Sequence, residues 1–193
     1  MKKMLIMLVG ILVVGVSTMN AQILGGDLIL RGGFASNNFK GSNARGISML
    51  PEYNVALDYN KSLKGNFYWN AGVMFGTRGF DVNFSEEEFR AHNFNLPLTI
   101  GVKYALTQKI AVDARLGGFF SVDMFGKYKG EERSLKIQDI EDYQRCDGGL
   151  LFAFGIWYNR WNIDYTFKRG FGKLWPEGAS GAVNHLIRFG YAF

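Results

Sequence analysis

The sequence predicts an all-β fold, an eight-stranded antiparallel up-and-down transmembrane β-barrel. Large apolar side chains alternate with small or polar ones in eight segments, the connections between segments alternate in length, and the large apolar side chains share one face of the segments. The last segment shows the pattern clearly, because Ile187, Phe189, Tyr191 and Phe193 alternate with small or charged residues. An alternation of period two is typical of a β-strand whose two faces meet different surroundings.

The eight segments are read from the alternation alone. They lie at residues 24–34, 47–59, 66–80, 93–106, 109–125, 143–158, 161–171 and 182–193. The connections run long, short, long, short, long, short, long, and the shortest are TQK and the pair Asn159-Arg160. With an even number of strands, this order places every long connection at one end of a barrel and both chain termini at the other.

Twelve charged residues of these segments share the face opposite the large apolar side chains. We expect them to fill the lumen as a network of ion pairs with six acids and six bases: Asp27, Arg31, Glu52, Asp58, Arg78, Lys103, Asp113, Arg115, Asp123, Asp164, Lys168 and Arg188. The other face is apolar, as lipid requires, because a basic side chain facing mid-bilayer costs about 2–4 kcal/mol. A soluble lipocalin-like carrier would turn the apolar face inward, and this alternative stays open at this point.

Aromatic residues gather where the short turns are predicted. They are Tyr59, Phe67, Trp69, Tyr104, Tyr158, Trp161, Tyr191 and Phe193. Aromatic side chains are enriched at the two membrane interfaces of barrels. The set is therefore predicted to form an interfacial girdle at the end of the barrel that holds the short turns.

Residues 1–21 have the features of a secretory signal peptide. Two lysines precede a 13-residue apolar run from Met4 to Val16, and a polar stretch leads to Ala21. The run is shorter than the roughly 20 residues of a membrane-spanning helix. We expect cleavage after residue 21, export, and one barrel domain at residues 22–193.

Composition and charge exclude several function classes. The formal net charge of +5 includes Lys2 and Lys3, so the chain without its signal carries +3 in a scattered pattern, which argues against nucleic acid as a partner. Cys146 is the single cysteine and there are two histidines, too few for a zinc or haem site. We expect no cofactor and no metal, and no catalytic signature stands out.

Residues 93–175 carry a family resemblance. They contain NFNLPLTIGVKY, GGFFS, RCDGGLLFAFGIWY and IDYTFKRGFGKL, and GVMFGTRGF precedes them. This stretch resembles the outer-membrane β-barrel family of Bacteroidetes that includes PorT-like porin-family proteins. The resemblance implies a Gram-negative outer membrane and, for some members, an accessory role in a protein secretion system. Phe193 as the last residue also resembles the signal that the barrel-assembly machinery reads.

Loop residues are the candidates for binding. Lys129, Arg133 and Lys136 lie in the longest connection and Trp175 in the last one, where they could contact lipopolysaccharide or a protein partner. His185 lies near the long-loop end of the last strand on the lipid-facing side. Outer-membrane lipid A deacylases use a histidine and a serine, but Ser180 has no acid nearby to complete a triad.

The predicted function is therefore non-enzymatic. We expect a small structural or interaction barrel, with periplasmic termini and long extracellular loops that meet outer-membrane lipid, lipopolysaccharide or a partner. Eight strands leave no aqueous channel, so no open pore is expected. A PorT-like accessory of a secretion system, a lipid A-modifying enzyme and a soluble carrier remain the alternatives.

Overall fold

The chain forms ten β-strands and no other long element in the part that the structure describes. A computed structural model describes residues 25–39, 47–49, 51–82, 88–130, 134–140, 143–172 and 182–193. The strands are β1 (Asp27–Phe39), β2 (Ile47–Met49), β3 (Glu52–Ser62), β4 (Phe67–Val82), β5 (Glu88–Ala105), β6 (Ile110–Lys129), β7 (Ser134–Lys136), β8 (Cys146–Tyr158), β9 (Trp161–Gly170) and β10 (Ala182–Ala192).

Eight of these strands close into a barrel, which confirms the predicted fold class. Each barrel strand pairs antiparallel with its neighbours in the chain, and β1 pairs with β10 to close the ring. The backbone N–H of Phe193 donates to the carbonyl oxygen of Leu28 at 2.9 Å. The last residue therefore completes the seam, so no strand edge is left open there.

The short turns are built from residues suited to tight connections. Tyr158 pairs with Trp161 across Asn159-Arg160, and Asn159 has a φ of 54°, a left-handed conformation that Asn tolerates better than most residues. In the turn between β5 and β6, the Thr107 hydroxyl accepts hydrogen bonds from the backbone N–H groups of residues 109 and 110 at 3.2 and 3.0 Å. We call this the short-turn end and the opposite one the long-loop end.

The predicted strand boundaries are wrong at the long-loop end. Residues 81–92 and 126–142 were expected to be loops, but β5 begins at Glu88 and β6 continues to Lys129, giving strands of 18 and 20 residues. A strand needs only about 9–11 residues to cross a membrane. The sheet thus extends beyond the apolar band, where β2 pairs with β4 and β7 pairs with β6.

The apolar face points outward and the polar face inward. Leu98, Ile100 and Ile187 are each more than 60% exposed, whereas Arg31 and Asp164 are 1% exposed. A soluble carrier needs the opposite arrangement, so the geometry argues against the lipocalin-like alternative. Within the described ranges, no helix is long and apolar enough to cross a membrane.

Candidate functional site: the filled lumen and the outer groove

A cluster of arginines surrounds one carboxylate in the middle of the lumen. Arg31 Nε and Arg115 Nη2 lie 2.9 Å from Asp164 Oδ2, and Arg188 Nε lies 2.9 Å from Asp164 Oδ1. The four side chains come from β1, β6, β9 and β10, and none is more than 5% exposed. Strand alternation turns them toward the lumen, and the register between the strands brings them to the same level. We call these four residues the Asp164 cluster.

Two further carboxylates extend this cluster. Arg31 also pairs with Asp58, and Arg115 Nε lies 3.2 Å from Asp113 Oδ2. Asp113 accepts hydrogen bonds from the Tyr68 hydroxyl and, at 2.7 Å, from Trp157 Nε1. Charged side chains are therefore bound on several sides, which is the condition for burying them without a large desolvation loss.

A second charged group lies nearer the long-loop end. Arg78 Nε donates to Asp123 Oδ2 at 2.9 Å, and Arg78 Nη2 donates to the Tyr143 hydroxyl oxygen at 3.2 Å. The Tyr143 hydroxyl in turn donates to Asp123. Burial raises the pKa of the Tyr143 phenol well above its ordinary value, so Tyr143 keeps its proton and can act as this donor.

An apolar cluster lies above that group, toward the long-loop end, and we call it the apolar cap. Phe89, Ala91 and Ile137 are at most 2% exposed and pack together, with the half-buried rings of Tyr128 and Tyr143 against them. Ile137 follows β7 directly, and its backbone N–H donates to the carbonyl oxygen of Gly126 on β6 at 3.2 Å. The segment after β7 therefore packs beside β5 and β6 at this end of the barrel.

The space left inside the barrel is small. A cavity of about 10 Å³ lies among side chains that include Asn95, Lys168 and Arg188, which is room for about one water molecule. Asn54, Asn70 and Thr166 add to the filling, being at most 3% exposed. The described side chains therefore form a packed polar core at this level of the lumen.

The twelve residues expected in the lumen have different roles. Eight form direct ion pairs: Arg31, Asp58, Arg78, Asp113, Arg115, Asp123, Asp164 and Arg188. The other four have these surroundings. Asp27 is exposed at the short-turn end, and Glu52 accepts a hydrogen bond from the backbone N–H of residue 79 at 2.8 Å. Lys103 and Lys168 contact aromatic rings.

Two lysines of the lumen rest on aromatic rings. Lys103 Nζ lies 3.7 Å from the centre of the Trp157 ring, and Lys168 Nζ lies 4.5 Å from that of Phe119. Lys168 also donates to Asn95 Oδ1 at 2.6 Å. The charge pattern of the sequence could not show these contacts, because they depend on which strands face each other across the lumen.

The residues of the expected girdle lie at the short-turn end, on the outward face. Their rings contact one another: Tyr59 and Trp69 have centroids 5.5 Å apart, and Trp161 and Tyr191 have centroids 4.7 Å apart. Phe67, Tyr104, Tyr158 and Trp161 are each more than 45% exposed, whereas Tyr59, Trp69, Tyr191 and Phe193 are partly exposed. This arrangement fits side chains that face a membrane interface.

Toward the long-loop end, the outward face carries aromatic and then basic side chains in place of aliphatic ones. His92 on β5 pairs with Phe125 on β6, with ring centroids 4.6 Å apart, and His92 stacks on Phe75 of β4 at 5.9 Å. One step higher, Arg90 pairs with Lys127, and Lys127 pairs with Lys136 on β7. Apolar, aromatic and basic levels thus follow one another along the same two strands.

These levels line an open groove of about 490 Å³. We call it the outer groove, and its lining residues are Glu88, Arg90, His92, Phe125, Gly126, Lys127, Lys129 and Lys136. Glu88 Oε1 lies 3.0 Å from Arg90 Nη2, and Glu88 Oε2 lies 3.4 Å from Lys129 Nζ. The lining residues therefore include four cationic side chains and one carboxylate, which contacts two of them.

The sequence prediction found part of this groove. Lys129 and Lys136 were proposed as binding residues and line it, whereas Arg133 and Trp175 lie outside the described residues. Arg90 and Lys127 were missed as members of the site. Strand alternation followed further along β5 would have indicated Arg90, whereas the irregular register beside it on β6 hid Lys127.

The candidate histidine of the last strand has a different partner from the one expected for hydrolysis. His185 Nδ1 lies 2.6 Å from the Tyr165 hydroxyl oxygen on the outward face. Ser180 lies outside the described residues. Among the described residues, no group of three or more His, Cys, Asp or Glu side chains is placed to hold a metal ion.

Comparison with protein families decides which kind of barrel this is. Residues 24–175 match the family described as outer membrane protein beta-barrel domain. The chain belongs to this family. The apolar band of this outer-membrane barrel therefore faces the lipid of the outer membrane. Comparison with curated proteins gives no significant match.

Solved structures show the same architecture. Neisserial surface protein A (NspA) aligns with a TM-score of 0.53 and 8% identity, over 87% of this chain and 97% of that chain. The outer membrane protein OprG from Pseudomonas aeruginosa aligns with a TM-score of 0.51 and 14% identity, over 87% and 96%. The Yersinia pestis protein Ail, solved in complex with the heparin analogue sucrose octasulfate, aligns with a TM-score of 0.49 and 14% identity, over 87% and 99%. At such identities the likeness to NspA and OprG concerns the fold alone.

Proposed function

We propose that this outer-membrane barrel is non-enzymatic and has no open pore, and that it acts through interactions at its long-loop end. The observation that carries the proposal is the filled lumen: paired charges occupy its middle, and the buried apolar side chains of Phe89, Ala91 and Ile137 pack above them toward the long-loop end. A channel needs an unobstructed polar path, and eight strands enclose a space that side chains can fill.

Conductance measurement tests this proposal directly. The purified full chain, refolded in detergent, is added to planar lipid bilayers beside a known porin as a positive control. We expect no stable openings on the nanosiemens scale, because the Asp164 cluster and the cap obstruct ions in series. Reproducible openings of that size, from protein shown to be folded by its heat-dependent gel migration, would contradict the proposal.

The orientation of the barrel belongs to the same proposal. We infer a cleaved signal peptide at residues 1–21, periplasmic termini and extracellular long loops, because β1 and β10 begin and end the barrel at the short-turn end and barrels of this kind place their short turns in the periplasm. Protease treatment of intact cells tests it: cutting is expected only at the long-loop end. Cleavage at the short-turn end would overturn the orientation.

The PorT-like role rests on sequence resemblance alone. Residues 93–175 resemble the Bacteroidetes family, and the outer groove would offer a docking surface for a secretion subunit. Deletion of the gene followed by secretome analysis distinguishes the two roles. Loss of exported cargo would support a secretion accessory, whereas an unchanged secretome would leave the structural and interaction role.

The absence of enzymatic activity is equally a proposal. The most reactive arrangement on the outward face is His185 with the Tyr165 hydroxyl, and a tyrosine cannot supply the acid of a hydrolytic triad. Mass spectrometry of lipid A from cells with and without the gene tests it. We expect identical spectra, and a shift by one acyl chain would show an enzyme.

A further inference from the structure

Three cations lie side by side in one row of the outer groove. Arg90, Lys127 and Lys136 occupy consecutive partner positions on β5, β6 and β7. All three are exposed. Like charges directly opposite each other in a sheet are destabilising. The row therefore carries an excess of positive charge, and a bound anion would reduce the repulsion between its three cations.

The single carboxylate of the groove does not balance this row. Glu88 lies one level higher and contacts Arg90 and Lys129, so its charge is shared. Lys127 and Lys136 are next to each other at the groove's middle level. Within the described lining residues, the formal charge is therefore three positive units in excess. Phosphate groups match such a site, because arginine binds their oxygens in pairs and lysine binds them as a point charge.

The height of the row identifies where that phosphate comes from. Tyr104 marks the short-turn girdle, and His92 lies twelve residues away along β5. At a rise of about 3.3 Å per residue and a tilt of about 40°, this separation spans about 30 Å of height. The apolar band of an outer-membrane barrel is about 25 Å tall. His92 therefore lies at the upper edge of the band, and Arg90, two residues further along β5, lies about 5 Å higher, at the level of the lipid headgroups.

The aromatic level below the row suits the rest of a lipid. His92, Phe125 and Phe75 form a contiguous ring surface, and Phe125 is 53% exposed. Below them the outward pairs are apolar, such as Phe94 with Val122. Acyl chains can lie on this face while a phosphorylated sugar headgroup occupies the groove. The order of basic, aromatic and apolar levels is complementary to the order of phosphate, sugar and acyl chain in lipid A.

We propose that the outer groove is a binding site for the phosphorylated lipid A headgroup of lipopolysaccharide, with Arg90, Lys127 and Lys136 holding a phosphate. This inference rests on the proposed function, because it requires the long-loop end to face outward. We expect a ligand that lies in the membrane, because a free polyanion would not contact the rings of His92, Phe125 and Phe75 below the row.

The test uses the full chain in detergent micelles, titrated with fluorescent diphosphoryl lipid A. The variant Arg90→Gln/Lys127→Gln/Lys136→Gln is compared with Lys61→Gln/Lys64→Gln/Lys109→Gln, which removes the same charge from exposed positions at the short-turn end. We expect the groove variant to lose at least about tenfold in affinity and the control to bind as the parent does. Heat-dependent gel migration shows that both variants are folded.

Further ligands identify the source of the phosphate. Dephosphorylated lipid A is expected to bind as weakly to the parent as diphosphoryl lipid A does to the groove variant. Equal affinity for phosphatidylglycerol, or for heparin without lipid, would overturn the assignment to lipid A, as would an unchanged affinity in the groove variant. Conductance in planar bilayers and protease accessibility on intact cells are measured for the same parent and groove variant, so failure of the groove is distinguishable from failure of the proposed function.

Discussion

The barrel carries two groups of basic side chains, and they are balanced in opposite ways. Inside, Arg31, Arg115 and Arg188 converge on Asp164, and further acids surround them. Outside, Arg90 and Lys127 belong to a row whose acid, Glu88, is one level away. Both groups result from the same strand alternation, which sends side chains alternately to the two faces.

The difference shows which group holds the fold and which is available to a ligand. A buried charge requires its partner within the protein, because no water can replace it. An exposed cation is solvated and contributes little to stability through ion pairs. The lumen charges are therefore expected to govern stability, whereas the outer row is expected to govern binding.

Removing the shared carboxylate should have the largest effect. Asp164→Asn leaves three buried arginines without their common partner, and we expect a loss of about 3–5 kcal/mol in the free energy of unfolding. Urea unfolding in detergent, followed by tryptophan fluorescence, measures it. Asp58→Asn should cost less, because its described ion pair is with Arg31 alone.

The control for this prediction is Asp27→Asn, which changes an exposed carboxylate at the short-turn end. Its effect should stay within about 0.5 kcal/mol. If Asp164→Asn were as mild as this control, the arginine cluster would not be holding the barrel together, and the comparison between inside and outside would fail.

An arginine introduced on the outward face should destabilise the barrel strongly only near the middle of the membrane. Leu98 lies midway along β5 between Tyr104 and His92 and is 61% exposed. Leu98→Arg is expected to cost about 2–4 kcal/mol in lipid vesicles. Leu106→Arg, in the turn at the short-turn end, should cost about 0–1 kcal/mol. Equal costs would show that Leu98 does not lie deeper in the membrane than Leu106, which would contradict the proposed position of the apolar band.

Much of the barrel could be predicted from the sequence, because a closed membrane barrel restricts each residue strongly. Lipid excludes charge from one face, so the alternation gives strand number, face and closure together. The turn at Asn159-Arg160 fixed the relative register of two strands. These constraints act locally along the chain, and a single sequence shows them.

The strand ends and the outer groove could not be predicted in the same way. The register shifts between His92 and Asn93, so on β6 the outward residues are even-numbered below this bulge, as at Phe120, and odd-numbered above it, as at Phe125 and Lys127. A bulge reverses which face a residue meets. Alternation read straight through it would send Lys127 into the lumen.

The cap depends on one hydroxyl that the sequence pattern did not indicate. Tyr143→Phe removes the hydrogen bond to Asp123 while the Arg78 pair remains. We expect a loss of about 1–2 kcal/mol and faster proteolysis of the connection between β7 and β8. Tyr158→Phe, an exposed tyrosine at the short-turn end, is the matched control. An unchanged cleavage rate in Tyr143→Phe would show that the cap is held by its apolar packing alone.

The smallest expected effect is a gain in lipid A affinity. It distinguishes the cations of the outer groove from the buried arginines of the lumen. Glu88→Gln removes the carboxylate that Arg90 and Lys129 share, so their charge becomes available to a phosphate. We expect lipid A affinity to rise about two- to fivefold, the scale of exposed ion pairs, with stability unchanged. Asp139→Asn, an exposed loop change of the same charge, should leave the affinity as it is. If Glu88→Gln weakened lipid A binding instead, the carboxylate would be positioning the cations, and the row would resemble the lumen, where an acid organises the arginines around it.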